Sequence, residues 1–256
     1  MRVDVDSKIP YDTWFSFKVL GILLLASVFA SMGTILYGLI IAHQVVSLAE
    51  VLLFAGLLTA IVTAPLAVLG LWSRSRQGLE VSSLAKLLIK DGLLINSLLL
   101  AVAFGCFCGI FVVFSDKAFY SFLPTEYRDI ELPGSLPGFL AAFGAGINEE
   151  IWFRLGMLTG LMTFGCWLLK QYQASTALFW STNVISALLF GVAHLPQFAF
   201  MMSGLSLAVI GAVLLQNGIV GLIFGWLYWH RGLLAAMLAH ITADLAIHLI
   251  VPTFFA

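Results

Sequence analysis

Charged residues are scarce in this sequence. Its 12 basic and 13 acidic residues make up 10% of the chain, whereas soluble domains carry about 25% charged residues. Hydrophobic side chains make up 61% of the 256 residues, and the mean hydropathy is +1.06. Such an apolar chain cannot cover itself with polar surface, so a protein that crosses the membrane several times is predicted. The net charge of −1 gives no reason to expect a nucleic-acid partner.

Cysteine is scarce as well. Cys106, Cys108 and Cys166 all lie in apolar segments, which favours small buried hydrophobes over a disulfide or metal framework. The N-terminus also lacks the pattern of a secretory signal, because its start is mixed in charge and the apolar run that follows is long. We therefore expect the first helix to be retained.

Long apolar runs make up most of the remainder. A spanning helix needs about 20 apolar residues, and seven segments qualify: Trp14–Ile41, Ala49–Trp72, Leu93–Phe114, Gly138–Leu169, Ala177–Met202, Leu205–Trp229 and Leu233–Pro252. An eighth span stays open, because the fourth segment is long and the sixth contains several glycines. The predicted fold is an all-α transmembrane bundle. Residues 1–136 would supply helices 1–3 with a basic cytoplasmic loop at 73–91, and residues 137–256 the core that carries the polar motifs.

Basic residues predict the orientation of this bundle, since cytoplasmic loops carry an excess of lysine and arginine. With the N-terminus in the cytoplasm, eight basic residues fall on that side: Arg2, Lys8, Arg74, Arg76, Lys86, Lys90, Lys170 and Arg231. Only Lys117 and Arg128 fall outside. The segment Ser73–Asp91 separates leucines from lysines, which fits either an interfacial helix or a loop with a helical end.

The stretch GINEEIWFRL places charges inside an apolar run. A charge near the bilayer centre costs at least about 3 kcal/mol, yet six ionisable residues lie well inside predicted spans, away from their ends: Glu149, Glu150, Arg154, His194, His240 and Asp244. They come from three helices and can avoid lipid only by facing the bundle interior. One shared polar cavity, and with it a functional site, is therefore predicted.

Spacing separates the roles of these groups. Glu150 and Arg154 are four residues apart, so they face each other across a helical turn and are predicted to form an ion pair. Glu149 points about 100° away and is left for chemistry. His240 and Asp244 are also four apart, and the carboxylate can set the tautomer of the ring. Taken singly, each group has a plainer interpretation as a packing or fold-specifying residue.

Three motifs in order resemble the CPBP family of CAAX-protease and bacteriocin-processing intramembrane endopeptidases, also called the Abi or type II CAAX prenyl protease family. EEIWFR is similar to its EExxxR motif. FGVAH, from Phe190 to His194, is similar to FxxxH, and HITAD is similar to HxxxN/D. The resemblance covers roughly Phe143–Leu249. It implies an α-helical membrane enzyme that hydrolyses peptide bonds within the membrane.

The resemblance also implies roles for the site residues. Glu149 and His194 would activate a water molecule, and His240 and Asp244 would stabilise the oxyanion. Glu150, Arg154 and Phe190 would be supporting residues. Members with asparagine in the last motif carry an amide donor, whereas an ionised Asp244 would repel an oxyanion. Asp244 is therefore either neutral or orients His240, and we prefer the second.

The sequence leaves alternatives open for the cofactor and for the substrate. Two histidines and one or two glutamates also suit zinc, but no HExxH is present, so a metal-free glutamate mechanism is preferred and zinc is left open. The expected partners are the lipid bilayer and a CAAX, bacteriocin-leader or other membrane-associated peptide, with the protein in a prokaryotic cell membrane. Two rivals remain: a non-catalytic scaffold or immunity protein, and a proton-coupled transporter, although no internal repeat supports the latter.

Overall fold

The computed structural model describes residues 13–76, 94–128, 135–202 and 204–250. Within these ranges the chain forms helices and no strand: α1 (Thr13–Ile41), α2 (Leu48–Leu58, a π-helical stretch Thr59–Thr63, then Ala64–Arg76), α3 (Leu94–Phe119), α4 (Thr125–Arg128), α5 (Ser135–Glu149, a π-helical stretch Glu150–Leu158, then Thr159–Leu168), α6 (Thr176–Met201), α7 (Leu207–Arg231) and α8 (Leu233–Leu245, then π-helical Ala246–Ile250). The predicted all-α class is confirmed.

Among the described residues, six helices are long and apolar enough to cross a membrane: Phe17–Ile40, Leu48–Arg76, Ile95–Phe119, Leu136–Leu168, Thr176–Met201 and Leu207–Arg231. A seventh apolar helix, Leu233–His248, is shorter. These helices correspond to the seven predicted segments. The glycine-containing sixth segment forms one uninterrupted helix, α7, and α6 continues through Pro196 instead of breaking after the histidine. The chain is thus a polytopic integral membrane protein.

Helix α5 lies at the centre of the bundle and packs against α1, α2, α6 and α8. Its buried apolar side chains join those of α7 and α8 in one core, which includes Ile151, Leu155, Leu158, Phe224, Leu227, Leu233 and Ala236. Many large apolar side chains on the outer helix faces are exposed, as expected where lipid takes the place of water. The EEIWFR motif therefore lies on the most enclosed of the candidate spanning helices.

Two glycines let α2 approach α5 closely. A Cβ at Gly70 would collide with the Leu155 carbonyl, and one at Gly156 would meet Leu66. Small residues at such crossings allow two helix backbones to pack directly in a membrane. The wide turns of α5 are thus held against α2.

The structure corrects one expectation about the cysteines and extends one predicted helix. All three cysteines are free, but Cys106 is exposed, so the expectation that all three are buried is wrong for that residue. Helix α2 extends past Trp72, and the buried Arg74 donates through Nη1 to the Tyr228 hydroxyl at 3.2 Å. Most of the predicted interfacial segment at 73–91 lies outside the described residues. The membrane orientation and the division after residue 136 stay predictions.

Candidate active site

Helix α5, the motif helix, carries the EEIWFR motif. Its π-helical stretch begins at Glu150, and wide turns of this kind are frequent at functional sites. Side-chain hydroxyls accompany this geometry: Thr159 Oγ1 donates to the Arg154 carbonyl at 3.0 Å, and Ser186 Oγ of α6 donates to the Phe153 carbonyl at 2.9 Å. Local hydroxyls therefore stabilise the wide turn just where the charged residues lie.

Glu150 and Arg154 form the predicted ion pair. Arg154 Nε lies 3.2 Å from Glu150 Oε2, without the angles of a good hydrogen bond, and the two side chains are 2% and 0% exposed. Arg154 Nη2 also donates to the Gly221 carbonyl at 3.3 Å. The guanidinium lies 4.5 Å from the ring centre of Phe190 and 5.5 Å from that of Phe224. The buried cation is thus compensated by a carboxylate, a carbonyl and two ring faces.

Glu150 also makes a contact that sequence reasoning missed. Its Oε1 accepts a hydrogen bond from His240 Nδ1 at 2.8 Å. This carboxylate therefore joins the motif helix to α8 and sets which ring nitrogen of His240 faces away from it. No local spacing signals the contact, because residues 150 and 240 lie on different helices.

Glu149 lies in a different environment from that of Glu150. Its side chain is 21% exposed, and Oε2 is buried without a hydrogen-bond partner. That oxygen lies 3.8 Å from Nε2 of His194 and 3.8 Å from Nε2 of His240. Such distances are too long for hydrogen bonds, but they suit groups that share a bridging water. The three side chains surround one small space.

His194 is oriented by its own helix. Its Nδ1 lies 2.8 Å from the Phe190 carbonyl, and because a carbonyl can only accept, Nδ1 carries the proton. In the neutral ring Nε2 is therefore an acceptor, and this is the nitrogen nearest Glu149. The Phe190 ring packs edge-on against His194 at 4.7 Å and against His240 at 5.8 Å. The predicted supporting residue Phe190 thus contacts both histidines.

Asp244 also belongs to the group. Its Oδ2 lies 3.6 Å from His240 Nε2, on the side of the ring opposite Glu150. The short hydrogen bond that orients His240 thus comes from Glu150 rather than from Asp244, contrary to expectation. The part that Asp244 plays in the chemistry stays a prediction.

A cavity of about 400 Å³ contains this group. Glu149, His194, His240 and Asp244 all line it. So do polar side chains to which the sequence assigned no role, among them Tyr37, Asp116, Gln216, Asn217 and His248. At its far end Gln216 Nε2 donates to Asp116 Oδ1 at 2.7 Å, and the Tyr127 hydroxyl donates to the same oxygen at 3.1 Å. The predicted shared polar cavity is present in the structure.

The donor atoms around Glu149 are spaced more widely in this structure than tetrahedral zinc requires, although the donor types suit it. Tetrahedral zinc with bonds of about 2.0–2.1 Å needs ligand atoms about 3.3 Å apart. Glu149 Oε2 is 3.8 Å from both histidine nitrogens. Across the described ranges, no three His, Cys, Asp or Glu side chains are grouped so that they could hold a metal ion.

A comparison with protein families matches the part of the chain that contains this site. Residues 132–246 match the family model described as Type II CAAX prenyl endopeptidase Rce1-like. The match covers under half of the chain, but it includes every residue of the group around Glu149. Neither the curated proteins nor the solved structures gave a significant match. The resemblance to the type II CAAX prenyl protease family that the three motifs predicted is thus confirmed over residues 132–246.

Proposed function

We propose that the chain is an intramembrane endopeptidase that hydrolyses a peptide bond of a membrane-associated or lipidated peptide with a glutamate-activated water. One observation carries this proposal. The unpartnered Glu149 Oε2 lies 3.8 Å from Nε2 of both His194 and His240, inside a cavity of about 400 Å³. A partly buried carboxylate with an unbonded acceptor oxygen between two histidines is the arrangement expected of a general base.

The attacking water is held by two acceptors. The ionised Glu149 carboxylate only accepts, and neutral His194 accepts at Nε2 because its Nδ1 proton is committed to the Phe190 carbonyl. A water between them donates one hydrogen to each, which leaves its lone pairs for the substrate carbonyl. Glu149 takes a proton as the water oxygen bonds to the carbonyl carbon. It then delivers that proton to the leaving amine as the C–N bond breaks.

His240 stabilises the oxyanion. Its Nδ1–H is committed to Glu150, so the group available to the substrate is Nε2–H of the doubly protonated ring. A donor held in a preorganised, water-poor cavity stabilises a developing negative charge far better than water does. Asp244 lies beside the same nitrogen and offsets the charge of the ring. No metal takes part in this scheme.

The substrate class follows from the family description and the position of the site. The family is named for prenylated CAAX peptides, and a cavity enclosed by membrane helices suits a peptide that is brought there by the bilayer. A lipidated CAAX-type peptide is therefore the first candidate, and an unlipidated leader peptide is the second.

The test is hydrolysis in proteoliposomes of the purified chain. Two internally quenched peptides would be compared, a farnesylated CAAX peptide and an unlipidated leader-type peptide, each followed by mass spectrometry of the products. Glu149→Gln should lower kcat by roughly 10²–10⁴-fold, the range for general acid–base catalysis, with folded protein unchanged. Glu126→Gln in the short helix α4 is the matched control.

Cleavage of the farnesylated peptide alone supports a CAAX-type substrate, and cleavage of the leader peptide alone supports the second candidate. Full activity of Glu149→Gln would overturn the mechanism. Absence of hydrolysis of both peptides by the unmodified chain would favour a non-catalytic scaffold and overturn the proposed function.

A further inference from the structure

A second polar cluster lies on another face of the motif helix, away from the cavity. Asn148 and Trp152 are four residues apart, so they share a helix face. This face meets α1 and α2. Asn148 and Trp152 form hydrogen bonds there with Ser27, Ser31 and Thr63, and Thr59 lies within hydrogen-bond distance of Ser27. These four partner residues all precede residue 132 and so lie outside the part of the chain that matches the family model.

Hydrogen bonds connect the cluster from end to end. Ser27 Oγ donates to Asn148 Oδ1 at 2.7 Å, and Asn148 Nδ2 donates to Ser31 Oγ at 3.0 Å. Trp152 Nε1 donates to Thr63 Oγ1 at 2.8 Å. Ser27 Oγ also lies 2.8 Å from Thr63 Oγ1, so both ends of the cluster meet at one serine.

The cluster is buried apart from the half-buried Trp152, and none of its side-chain polar atoms is among the unsatisfied atoms of the described residues. A buried polar group that loses its hydrogen bond is destabilising, because water cannot replace the lost partner. A fully satisfied network therefore favours one arrangement of the elements that it joins. Rotation of the motif helix about its axis would strain the contacts of Asn148 and Trp152 together.

Rotation of this helix would also redirect Glu149, which directly follows Asn148 in the chain. Thr63 ends the π-helical stretch of α2, and Trp152 lies in the π-helical stretch of the motif helix. The network thus joins the two helices where their turns are widest. The side chain it holds in place is the one that lies 3.8 Å from both histidines.

We infer that Ser27, Thr63, Asn148 and Trp152 are positioning residues, which set the rotation of the motif helix and so aim Glu149 at His194 and His240. Helices α1 and α2 are then part of the catalytic apparatus, although they lie outside the family domain. This inference rests on the proposed function and adds the device that aligns the general base.

The main test is Thr63→Val, which keeps the side-chain shape and removes the hydroxyl that meets Trp152 and Ser27. Because small misplacements of a catalytic group can cost up to roughly 10²-fold, we expect kcat on the quenched peptide to fall about tenfold or more with KM unchanged. Trp152→Phe, which removes only the indole N–H, should act in the same direction.

The matched control is Thr182→Val in α6. Thr182 is also buried, but its hydroxyl bonds only to the Leu178 and Phe179 carbonyls of its own helix. It lies 12 residues from His194, or about 18 Å along the helix. This variant should keep the kcat of the unmodified chain.

Two further measurements separate positioning from loss of fold. In a double-mutant cycle, Thr63→Val should cost little once Glu149→Gln is present, because it acts through that side chain. In nitrogen-15 histidine spectra, Thr63→Val should shift the imidazole signals of His194 and His240 and leave that of His230 unchanged. The spectra need no substrate.

Unchanged kcat in Thr63→Val would overturn the inference. So would a cost that is fully additive with Glu149→Gln, or a loss of activity that only follows the amount of folded protein. If the unmodified chain hydrolyses neither peptide, the proposed function fails and the spectra alone decide. Unshifted His194 and His240 signals would then reject the positioning role as well.

Discussion

Glu149 and Glu150 are chemically identical neighbours in the chain, yet they have opposite environments. Glu150 is fully buried and bridges Arg154 and His240. Glu149 is 21% exposed and faces a cavity, where its Oε2 has no hydrogen-bond partner; Glu150 Oε2 also lacks a hydrogen bond, but it lies 3.2 Å from the guanidinium of Arg154. The difference of one residue turns the side chain about 100° around the helix, from packed protein toward open space. A carboxylate with its partners in place stabilises a fold, whereas one with an open acceptor can act on a ligand.

The largest effect expected on the Glu150 side comes from Arg154→Leu. Removal of one partner of a buried ion pair costs about 3–5 kcal/mol, because Glu150 would keep its charge without the guanidinium. We expect a sharp fall in folded yield and in thermal stability in detergent. Arg76→Leu, at an exposed position, is the control and should change little. Stability equal to that of the unmodified chain would show that the pair is not structural.

The role of the group around Glu149 is tested by a pair of histidine variants. His194→Ala should lower kcat by roughly a hundredfold, at the low end of acid–base effects, because it removes the acceptor that holds the water. His230 has the same local arrangement, with Nδ1 3.0 Å from the carbonyl of Trp226 four residues before it, but it does not line the main cavity. Equal losses from His194→Ala and His230→Ala would contradict the assigned role.

A smaller effect is expected from Asp244→Asn. The amide can donate to the oxyanion, so the change in kcat should stay below about tenfold, compared with 10²–10³-fold for loss of an oxyanion donor. Asp244→Leu removes both charge and hydrogen-bonding capacity and is the matched comparison. If Asp244→Asn is as inactive as Asp244→Leu, the carboxylate itself is required.

The smallest effect is expected from chelation, since the spacing around Glu149 does not suit zinc. Incubation with a chelator should leave kcat unchanged, and metal analysis of the purified chain should show no stoichiometric zinc. Activity that is lost on chelation and restored by zinc would replace the glutamate mechanism with a metal-dependent one.

Much of this protein could be predicted from local sequence. Apolar runs of spanning length predict the helical bundle, because a backbone in lipid must satisfy its own hydrogen bonds. The spacing of Glu150 and Arg154 predicts their ion pair, because residues four apart meet on one helix face. The gathering of Glu149, His194, His240 and Asp244 in one cavity follows from the cost of exposing such groups to lipid.

Other features depend on contacts between helices, and spacing could not predict them. Sequence alone assigned the orientation of His240 to Asp244, four residues away, whereas the short hydrogen bond comes from Glu150 on another helix. It gave no role to Ser27 or Thr63, which are more than 80 residues before Asn148 and Trp152.

The sequence by itself therefore determined the helices, their apolar faces and the pairs within one turn. Only the tertiary structure decided which groups from different helices meet, such as Glu150 with His240 and Glu149 with His194. His194 and His230 show the reason, since both follow an aromatic residue by four positions and both bond to its carbonyl. Local geometry is the same in the two cases, and only the packing and rotation of whole helices place one of them beside Glu149.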